Sequence, residues 1–526
     1  MFIGRDRRIV MILAGMAASV FFSHPVLADL TNRYVVKGNA GVIPYDTLAK
    51  AAGDIQTAIN YASIGETVLV AAATYDSGGI TNWPSGGRLT NRVAVTKAIT
   101  VRSLNNDPAS TIIKGAWNAA ATNGPDAVRC VYLDNNSSLI GFTLTGGATL
   151  TTNETYSSSS DRNGGGIYSP NATTIISNCV IALNSTVGNG GGAYYGACYN
   201  SVISNNAAYD GGGAYYGAFY NCTVITNRAR YGGGIESAGI VSNCTISFNY
   251  ASDNGGGVRQ CRVLNSTIVS NRAGYGWGSV TCIMSNSVMI GNGATYGAYY
   301  NCLIINGGMY GINSATVYRN LTLVNGSYFY TDVGYTNAPL NCISCYADNR
   351  VVATNSRGIA GALNNYTNAA YGNTTNDPMF VDTNAGNFRL SAGSPCINAG
   401  TNQDWMTNAV DLDGLPRILF GTVDMGSHEA AYAFSYGPAA FTNTVMRGCA
   451  TNMIVSLSNA IPEIPLCWGT TITSSWVSCP AGGDPVPASG SSALTLTNSS
   501  LGLSPGTYVS RMIVSALTNY PLAMEG

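Results

Sequence analysis

The sequence predicts an all-β chain wound as a parallel β-helix, and three observations carry that prediction. From Asn178 onward the chain keeps returning to an asparagine, an alternating apolar segment and a second asparagine. The units are Asn178 to Asn184, Asn200 to Asn205, Asn221 to Asn227, Asn243 to Asn249, Asn265 to Asn271 and Asn286 to Asn292, with leading asparagines 22, 21, 22, 22 and 21 residues apart. Glycine triplets recur in the same phase at 164–166, 190–192, 211–213, 232–234 and 255–257. Good helix formers are scarce: lysine occurs only at Lys37, Lys50, Lys97 and Lys114, while glycine supplies 63 of 526 residues. A period near 22, rich in β-branched residues and without helical periodicity, is that of a solenoid coil of three short strands joined by tight turns. Coils stack about 4.8 Å apart, so like residues form ladders along the axis. Asparagine tolerates left-handed backbone and can hydrogen-bond to the asparagine above and below, and three glycines allow a sharp bend without a Cβ clash.

The elements follow in chain order. Arg5, Arg7 and Arg8 precede an apolar stretch over 9–22, and Val26-Leu27-Ala28 offers a small-residue cleavage site, so residues 1–28 read as a signal peptide for export. Export places the 14 cysteines where disulfides are permitted. Residues 54–62 carry apolar positions at i, i+3, i+4 and i+7 and stop at Gly65, which predicts a short amphipathic helix. Its expected role is to cover the first coil, since an open solenoid end is an exposed sheet edge. Thr67-Val68-Leu69-Val70 alternates as a strand, and the repeats follow. Beyond Tyr432 the segments around Leu466-Cys467-Trp468, Ser475-Trp476-Val477 and Leu494-Thr495-Leu496 have the short alternating strands and turn signals of an immunoglobulin-like sandwich.

These segments carry resemblances. Ile55-Gln56-x-Ala58-Ile59, 65–70 (Gly-Glu-Thr-Val-Leu-Val) and Ala73-Thr74-Tyr75 resemble the opening of right-handed parallel β-helix proteins of the pectate-lyase-like superfamily. The glycine triplets, each followed by an apolar-x-x-Asn element, resemble the repeats of polymorphic outer-membrane adhesins, with Val202, Val224 and Ile268 where those repeats usually carry Phe. Asp377-Pro378-x-Phe380, Asn387-Phe388-Arg389-Leu390, Asp411-Leu412-Asp413-Gly414 and Val423-Asp424-Met425-Gly426 through Glu429 resemble the end segment of choice-of-anchor surface proteins. The tail resembles a BACON-type module, a family linked with carbohydrate binding in bacteria. The expected organisation is a signal peptide (1–28), a right-handed parallel β-helix (29–430) and an incomplete immunoglobulin-like module (432–526), anchored at the cell surface through sequence beyond Gly526.

Composition limits the chemistry. The net charge is −1, and −3 once residues 1–28 are set aside, so neither a nucleic-acid footprint nor an acidic tail is present. Histidine occurs only at His24 and His428, which excludes mechanisms and metal sites needing two histidines in a mature chain. Between Gly164 and Leu340 the acidic residues are Asp210, Glu236, Asp253 and Asp332. Asp210 and Asp253, both near glycine triplets, would lie about 9.6 Å apart if they shared a column two coils apart, at the edge of the window for an inverting glycosidase. Capping of turn amides is the competing reading. Two residues after each triplet stand Tyr168, Tyr194, Tyr215, Glu236 and Arg259. The residues before them alternate inward, so these five should form one outward column with Glu236 and Arg259 as an exposed ion pair. Flat tyrosine rings suit a carbohydrate platform, whereas a solvated ladder is the structural alternative.

Cys179, Cys222, Cys244 and Cys302 follow a ladder asparagine, and Cys261 and Cys282 lie 21 residues apart. Stacked Cβ atoms about 4.8 Å apart exceed the disulfide separation of about 3.8 Å, which favours a ladder of free thiols. Cys342-x-x-Cys345 has no following helix to make a redox motif. Asp411-x-Asp413-Gly414, with Asp404, Asp424 and Glu429 available, leaves calcium open, against an ion pair with Arg417. No other cofactor is expected. Two functions follow: a secreted or cell-surface module, monomeric, that binds polysaccharide or a cell-surface glycan, with Tyr168, Tyr194 and Tyr215 as contacts, or a lyase or hydrolase of acidic polysaccharide. In the second, Arg259 serves as base or uronate clamp, Glu236 as its partner and Tyr215 as acid.

Overall fold

A computed structural model describes residues 32–311 except 121 and 152–158, then 317–324, 328–331, 342–344, 377–430 except 392, 393 and 420, and six strands between 434 and 516. The signal segment, Asp332 and Cys345 lie outside the described residues. The chain is a right-handed parallel β-helix with three strands per coil. Along the first face Val128–Leu133, Ile167–Tyr168, Ala193–Tyr194, Ala214–Tyr215, Ile235–Glu236 and Val258–Arg259 pair in parallel. The second face repeats Ile175–Ser177, Ala197–Tyr199, Ala218–Tyr220 and Ile240–Ser242. The third stacks Val180–Ala182, Val202–Ser204, Thr223–Ile225, Thr245–Ser247 and Thr267–Val269.

Strands this short show one residue inward each, and that residue is buried: Ile181, Ile203, Val224, Ile246 and Ile268 on the third face, Ile176, Cys198, Phe219, Val241 and Val263 on the second. Parallel in-register stacking makes each of these a continuous apolar column. One helix, α1 (Ile55–Tyr61), lies at the start as expected, capped by Asp54, whose side chain accepts from Thr57 N. Ile55, Ala58 and Ile59 enter the core. On its other flank Gln56 Nε2 donates to Ala94 O at 3.1 Å while Ala94 N donates to Gln56 Oε1 at 2.8 Å. The side-chain amide thus imitates one rung of sheet and closes the edge of strand Thr90–Val95.

Two asparagine ladders exist, with different tasks. The leading set, Asn178, Asn200, Asn221, Asn243, Asn265 and Asn286, holds left-handed backbone (φ 48–54°) at the corner between the second and third faces. The second set is interior: Asn184, Asn206, Asn227, Asn249, Asn271 and Asn292 are all buried. Each Nδ2 in this set except that of Asn292 donates to the next Oδ1 at 3.0–3.2 Å, and that same Oδ1 accepts the backbone N–H of the coil below. The pairing of Asn200 with Asn205 is therefore corrected to Asn206, since Asn205 takes a left-handed turn position instead.

Beside the leading asparagines runs a ladder in which serine and cysteine interchange. Cys179 N donates to Ser201 Oγ, Cys222 N to Cys244 Sγ, Cys244 N to Ser266 Oγ and Ser266 N to Ser287 Oγ, at 3.0 to 3.4 Å. Each side chain in turn donates to the carbonyl two residues back, as Ser201 Oγ does to Tyr199 O and Cys222 Sγ to Tyr220 O. The cysteines keep corner amides bonded, a polar task as well as an apolar one. The ten described cysteines are free thiols.

Upward, the third face passes under a closing segment whose antiparallel strands are Phe380–Asp382 and Asn387–Leu390. Phe388 packs on Leu303 and Val324, and Ser427 N donates to Thr322 Oγ1 at 2.9 Å. After residue 432 the parallel pattern ends. Phe434–Gly437, Ala450–Asn459, Ser491–Ser499 and Val477–Ser478 form one antiparallel sheet, and Trp468–Ile472 pairs antiparallel with Met512–Ala516.

Candidate functional site

The five residues expected to share a column do so, and Tyr132 extends it by one rung: Tyr132, Tyr168, Tyr194, Tyr215, Glu236 and Arg259 are register neighbours on six successive rungs. The tyrosine rings lie face to face, with centroids 6.2, 5.1 and 5.8 Å apart and planes within 14°. Trp83 continues the pile against Tyr132 at 5.9 Å. Stacking covers the ring faces, so a ligand lying along Tyr168, Tyr194 and Tyr215 meets ring edges and phenolic oxygens instead of the open faces expected of a platform. A second row stands one residue on, where Tyr195 and Tyr216 (φ 61° and 60°) stack at 4.6 Å.

The glycine triplets build this site. The first glycine of each bend lies under the column residue four positions later: a Cβ on Gly232 would sit 2.6 Å from Glu236 Oε2, and one on Gly255 would sit 2.8 Å from Arg259 Cβ. Glycine thus makes the shelf on which the carboxyl lies back. The third glycine faces inward, where a Cβ on Gly234 would press within 3.1 Å of the Asn249 amide in the interior ladder.

On the far side of the bend runs another row, Asn189, Asp210, Tyr231, Asn254 and Tyr275. Asp253 is one residue out of this register, so Asp210 and Asp253 do not share a column. Asp210 stands one residue before Gly211 and Asp253 two before Gly255, so Asn254 takes the place in the row that Asp210 holds two bends earlier. Asp253 pairs instead with Arg230 at 3.7 Å.

The carboxylate that Asp210 does meet electrostatically is Glu236, one coil on. Glu236 is not an exposed partner: its side chain is 2% exposed, against 26% for Arg259, and Arg259 Nη1 reaches Glu236 Oε1 at 2.6 Å. Ser237 Oγ also donates to Oε1 at 3.2 Å. Burial pushes the Glu236 carboxyl up to about 7, against the pull of Arg259. Burial likewise raises Asp210, opposed by Arg259 and Arg230. Tyr215 is raised by burial first, then by its bond to Tyr216 and by the Glu236 and Asp210 charges, so its phenol stays protonated. Glu236 Oε2 and Asp210 Oδ1 are both buried without a hydrogen-bond partner. Arg259 lies 4.9 Å over the Tyr231 ring, and Arg230 stands 5.0 Å over the same ring. Such an arrangement can hold an anion, or exchange a proton near neutrality.

The acidic residues of the closing segment are committed elsewhere. Asp411 Oδ1 accepts from Asp413 N and Leu415 N at 2.9 and 2.7 Å, and Oδ2 from Glu429 N at 2.7 Å. Asp424 accepts from Asn398 N and Ala430 N, and Asp413 pairs outward with Arg389. The pairing partner of Arg417 is Glu429, at 3.2 Å. Among the described residues no group of three or more His, Cys, Asp or Glu is placed to hold a metal ion, and no helix is long and apolar enough to cross a membrane.

Sequence reasoning missed Tyr132, the Tyr195–Tyr216 row and the joining of Asp210 to Glu236. Tyr132 stands 36 residues before Tyr168, outside the repeat period. The second row was legible as the doubled Tyr194-Tyr195 and Tyr215-Tyr216.

No protein-family model matches the chain. No curated protein matches it either. Among solved structures it is similar to the pectate lyase Pel9A, at 14% identity over 76% of this chain and 97% of that one, with a TM-score of 0.35. It is similar to the Dettilon tailspike protein, at 12% identity over 92% and 93% of the two chains and a TM-score of 0.29. A PL6 family polysaccharide lyase from Pseudopedobacter saltans gives 11% identity over 64% and 94%, with a TM-score of 0.26. Likeness at this level leaves the chemistry of the first face to be argued from its own residues.

Proposed function

We propose that this chain is an exported bacterial β-helix protein that binds polysaccharide along its first face, in the secreted or surface-held state, as a monomer. The observation that carries the reading is the strip from Trp83 to Arg259, where stacked tyrosines run directly into a guanidinium about a quarter open to solvent beside a buried carboxyl. Exposed aromatic residues beside the strip, Tyr209, Tyr275 and Trp277, supply ring surface that the stacked column does not. Acidic glycan suits Arg259 better than neutral glycan, because a guanidinium takes a carboxylate or sulfate with two hydrogen bonds. Residues 1–28 act in this reading as the export signal, 377–429 as a choice-of-anchor-like closure, and 432–526 as a BACON-like module that adds a second contact with glycan or cell surface. The adhesin-like repeats fit the same surface role.

A second reading, lyase or hydrolase action, is favoured by one feature: the unpartnered buried oxygens of Glu236 and Asp210 beside a protonated Tyr215. One experiment separates the two. Residues 29–526 are incubated with pectins, alginates and sulfated glycans, with and without calcium, while unsaturated uronate is followed by ultraviolet absorbance and new reducing ends are counted. Retention of one acidic glycan without product, weakened in Arg259→Ala and Tyr215→Ala, supports binding. Turnover abolished by Glu236→Gln replaces that reading with the enzymatic one, and neither retention nor turnover on any glycan removes both.

A further inference from the structure

We infer that Glu236 is a built-in competitor for the anion site at Arg259, so that an acidic group of the glycan binds there only as Glu236 takes up a proton. The inference deepens the proposed function and rests on it for the identity of the ligand, a carboxylate or sulfate ester on a polysaccharide. Its basis is geometric. Arg259 presents about a quarter of its side chain to solvent and spends Nη1 on Glu236 Oε1. Glu236 lies behind it, 2% exposed, with Oε2 buried and unbonded over the Gly232 shelf. A second unbonded carboxylate oxygen, Asp210 Oδ1, is buried on the coil below. A buried carboxyl that lacks donors for one oxygen is poorly held as an anion and readily held as an acid.

Every charged or titratable group packed around Glu236 bears on this. Asp210 and Tyr215 from the coil below, the Ser237 hydroxyl of its own coil, and Arg259 and Cys261 from the coil above act on it directly, while Tyr216 acts through Tyr215, Arg230 through Asp210, Tyr231 through Arg259 and Asp253 through its pair with Arg230. Asp210 raises the Glu236 carboxyl and Arg259 lowers it, and burial outweighs both to leave it near neutrality. When an external anion engages the guanidinium, the stabilisation that Arg259 gave to ionised Glu236 is shared or lost, and the carboxyl binds a proton. The balance is one anion and one proton taken up together, with no covalent step. The Arg259 guanidinium, stacked 4.9 Å over Tyr231, stays in place in both states.

Linkage fixes the signature. With one proton taken up per anion, affinity for the acidic glycan is level below about pH 6 and falls about tenfold per pH unit above about 7. Glu236→Gln keeps the amide oxygen facing Arg259 and removes the competing charge, so it should bind as tightly at pH 8.5 as the parent does at pH 5.5. The test is calorimetric titration of the full chain with oligogalacturonate and with a sulfated oligosaccharide, from pH 5.5 to 8.5, in buffers of differing ionisation enthalpy to count protons. In parallel, the Glu236 carboxyl is titrated by carbon-13 NMR with and without 100 mM sodium sulfate as a simple anion probe. Proton uptake on binding, an upward shift of the Glu236 midpoint by sulfate, and a flat pH profile in Glu236→Gln are the expected results. Glycan binding with a flat profile in the parent overturns the inference while leaving the proposed function intact. An unmoved Glu236 midpoint with sulfate overturns it even if no glycan binds, in which case the functional reading falls separately.

Discussion

Among the described residues three buried glutamates pair with an arginine, Glu66 with Arg33, Glu236 with Arg259 on the first face and Glu429 with Arg417 in the closing segment, and the last two make the sharper contrast. The partners differ in one respect: the Arg417 side chain is 0% exposed and Arg259 is 26% exposed. A sealed pair has no exchange partner, so its charges act only on the stability of the closure. A pair open on the guanidinium side can trade its carboxylate for an external one. Arg33 with Glu66, 10% exposed at the arginine, falls between them, and Arg389 with Asp413, 54% exposed, stands at the open end of the graded series. Burial, and not the presence of an ion pair, separates a structural ion pair from a candidate site here.

The sealed pair gives the largest expected effect. Burial pushes the Glu429 carboxyl up to about 8 against the pull of Arg417, so Arg417→Ala should destabilise the closing segment by about 3–5 kcal/mol above about pH 8, where that carboxyl is ionised beside Asp424 and Asp411, and by less where it takes up a proton. Arg417 is itself poorly served, with Nε and Nη1 buried and unbonded. The double change Arg417→Met with Glu429→Leu should therefore recover much of the loss. Thermal unfolding of the three proteins, run above about pH 8, checks this, and a single mutant that melts with the parent would make the sealed pair no different from the open ones.

The half-open pair should show its position through pH. The folded carboxyl of Glu236 lies near 7 and its ordinary value is 4.5. The native state therefore binds the proton more tightly than the unfolded chain. The stability this contributes is full below about pH 4.5 and is lost as pH rises through 7, by at most about 3 kcal/mol. Glu236→Gln should flatten that part of the stability curve. Arg259→Ala should do the reverse, costing about 1–3 kcal/mol more at pH 8.5 than at pH 5, because only the ionised carboxylate misses its partner. Chemical denaturation at the two pH values measures both changes, and equal costs of Arg259→Ala at both would place Glu236 among ordinary ionised carboxylates.

How far this site was legible in the sequence depends on phase. Tyr168, Tyr194, Tyr215, Glu236 and Arg259 keep a constant offset from their glycine triplets, and a constant offset in a solenoid is a column. The structure keeps all five in register. Phase failed where the offset changed by one residue. Asp210 stands one residue before its triplet and Asp253 two, so Asn254 takes the Asp210 position, and the doubled Asn205-Asn206 hid which amide turns inward. Burial was not legible at all. Glu236 looks like any outward residue of a strand, and only the Gly232 shelf and the overlying Arg259 side chain show that its carboxyl lies beneath the surface. The interchange of serine with cysteine from Cys179 to Ser287 was visible as letters, but its meaning requires the corner amide that each accepts.

The open pair sets the small end of the scale. Arg389 and Asp413 meet at the surface of the closing segment, where solvent screens the charges and two mobile side chains lose freedom to hold one geometry. Asp413→Asn should cost no more than about 1 kcal/mol, and the cost should vanish in 1 M salt, where the screening length falls to about 3 Å. One neighbour could enlarge the effect: burial lowers His428 to about 4, and the Asp413 charge works against that. The histidine is neutral across the neutral range with or without this help, so Asp413→Asn should act on it only below about pH 5. A loss of 2 kcal/mol or more at pH 7 in low salt would mean that Asp413 holds the closing turn in place through its charge. The grading of the pairs by exposure would then fail at its open end.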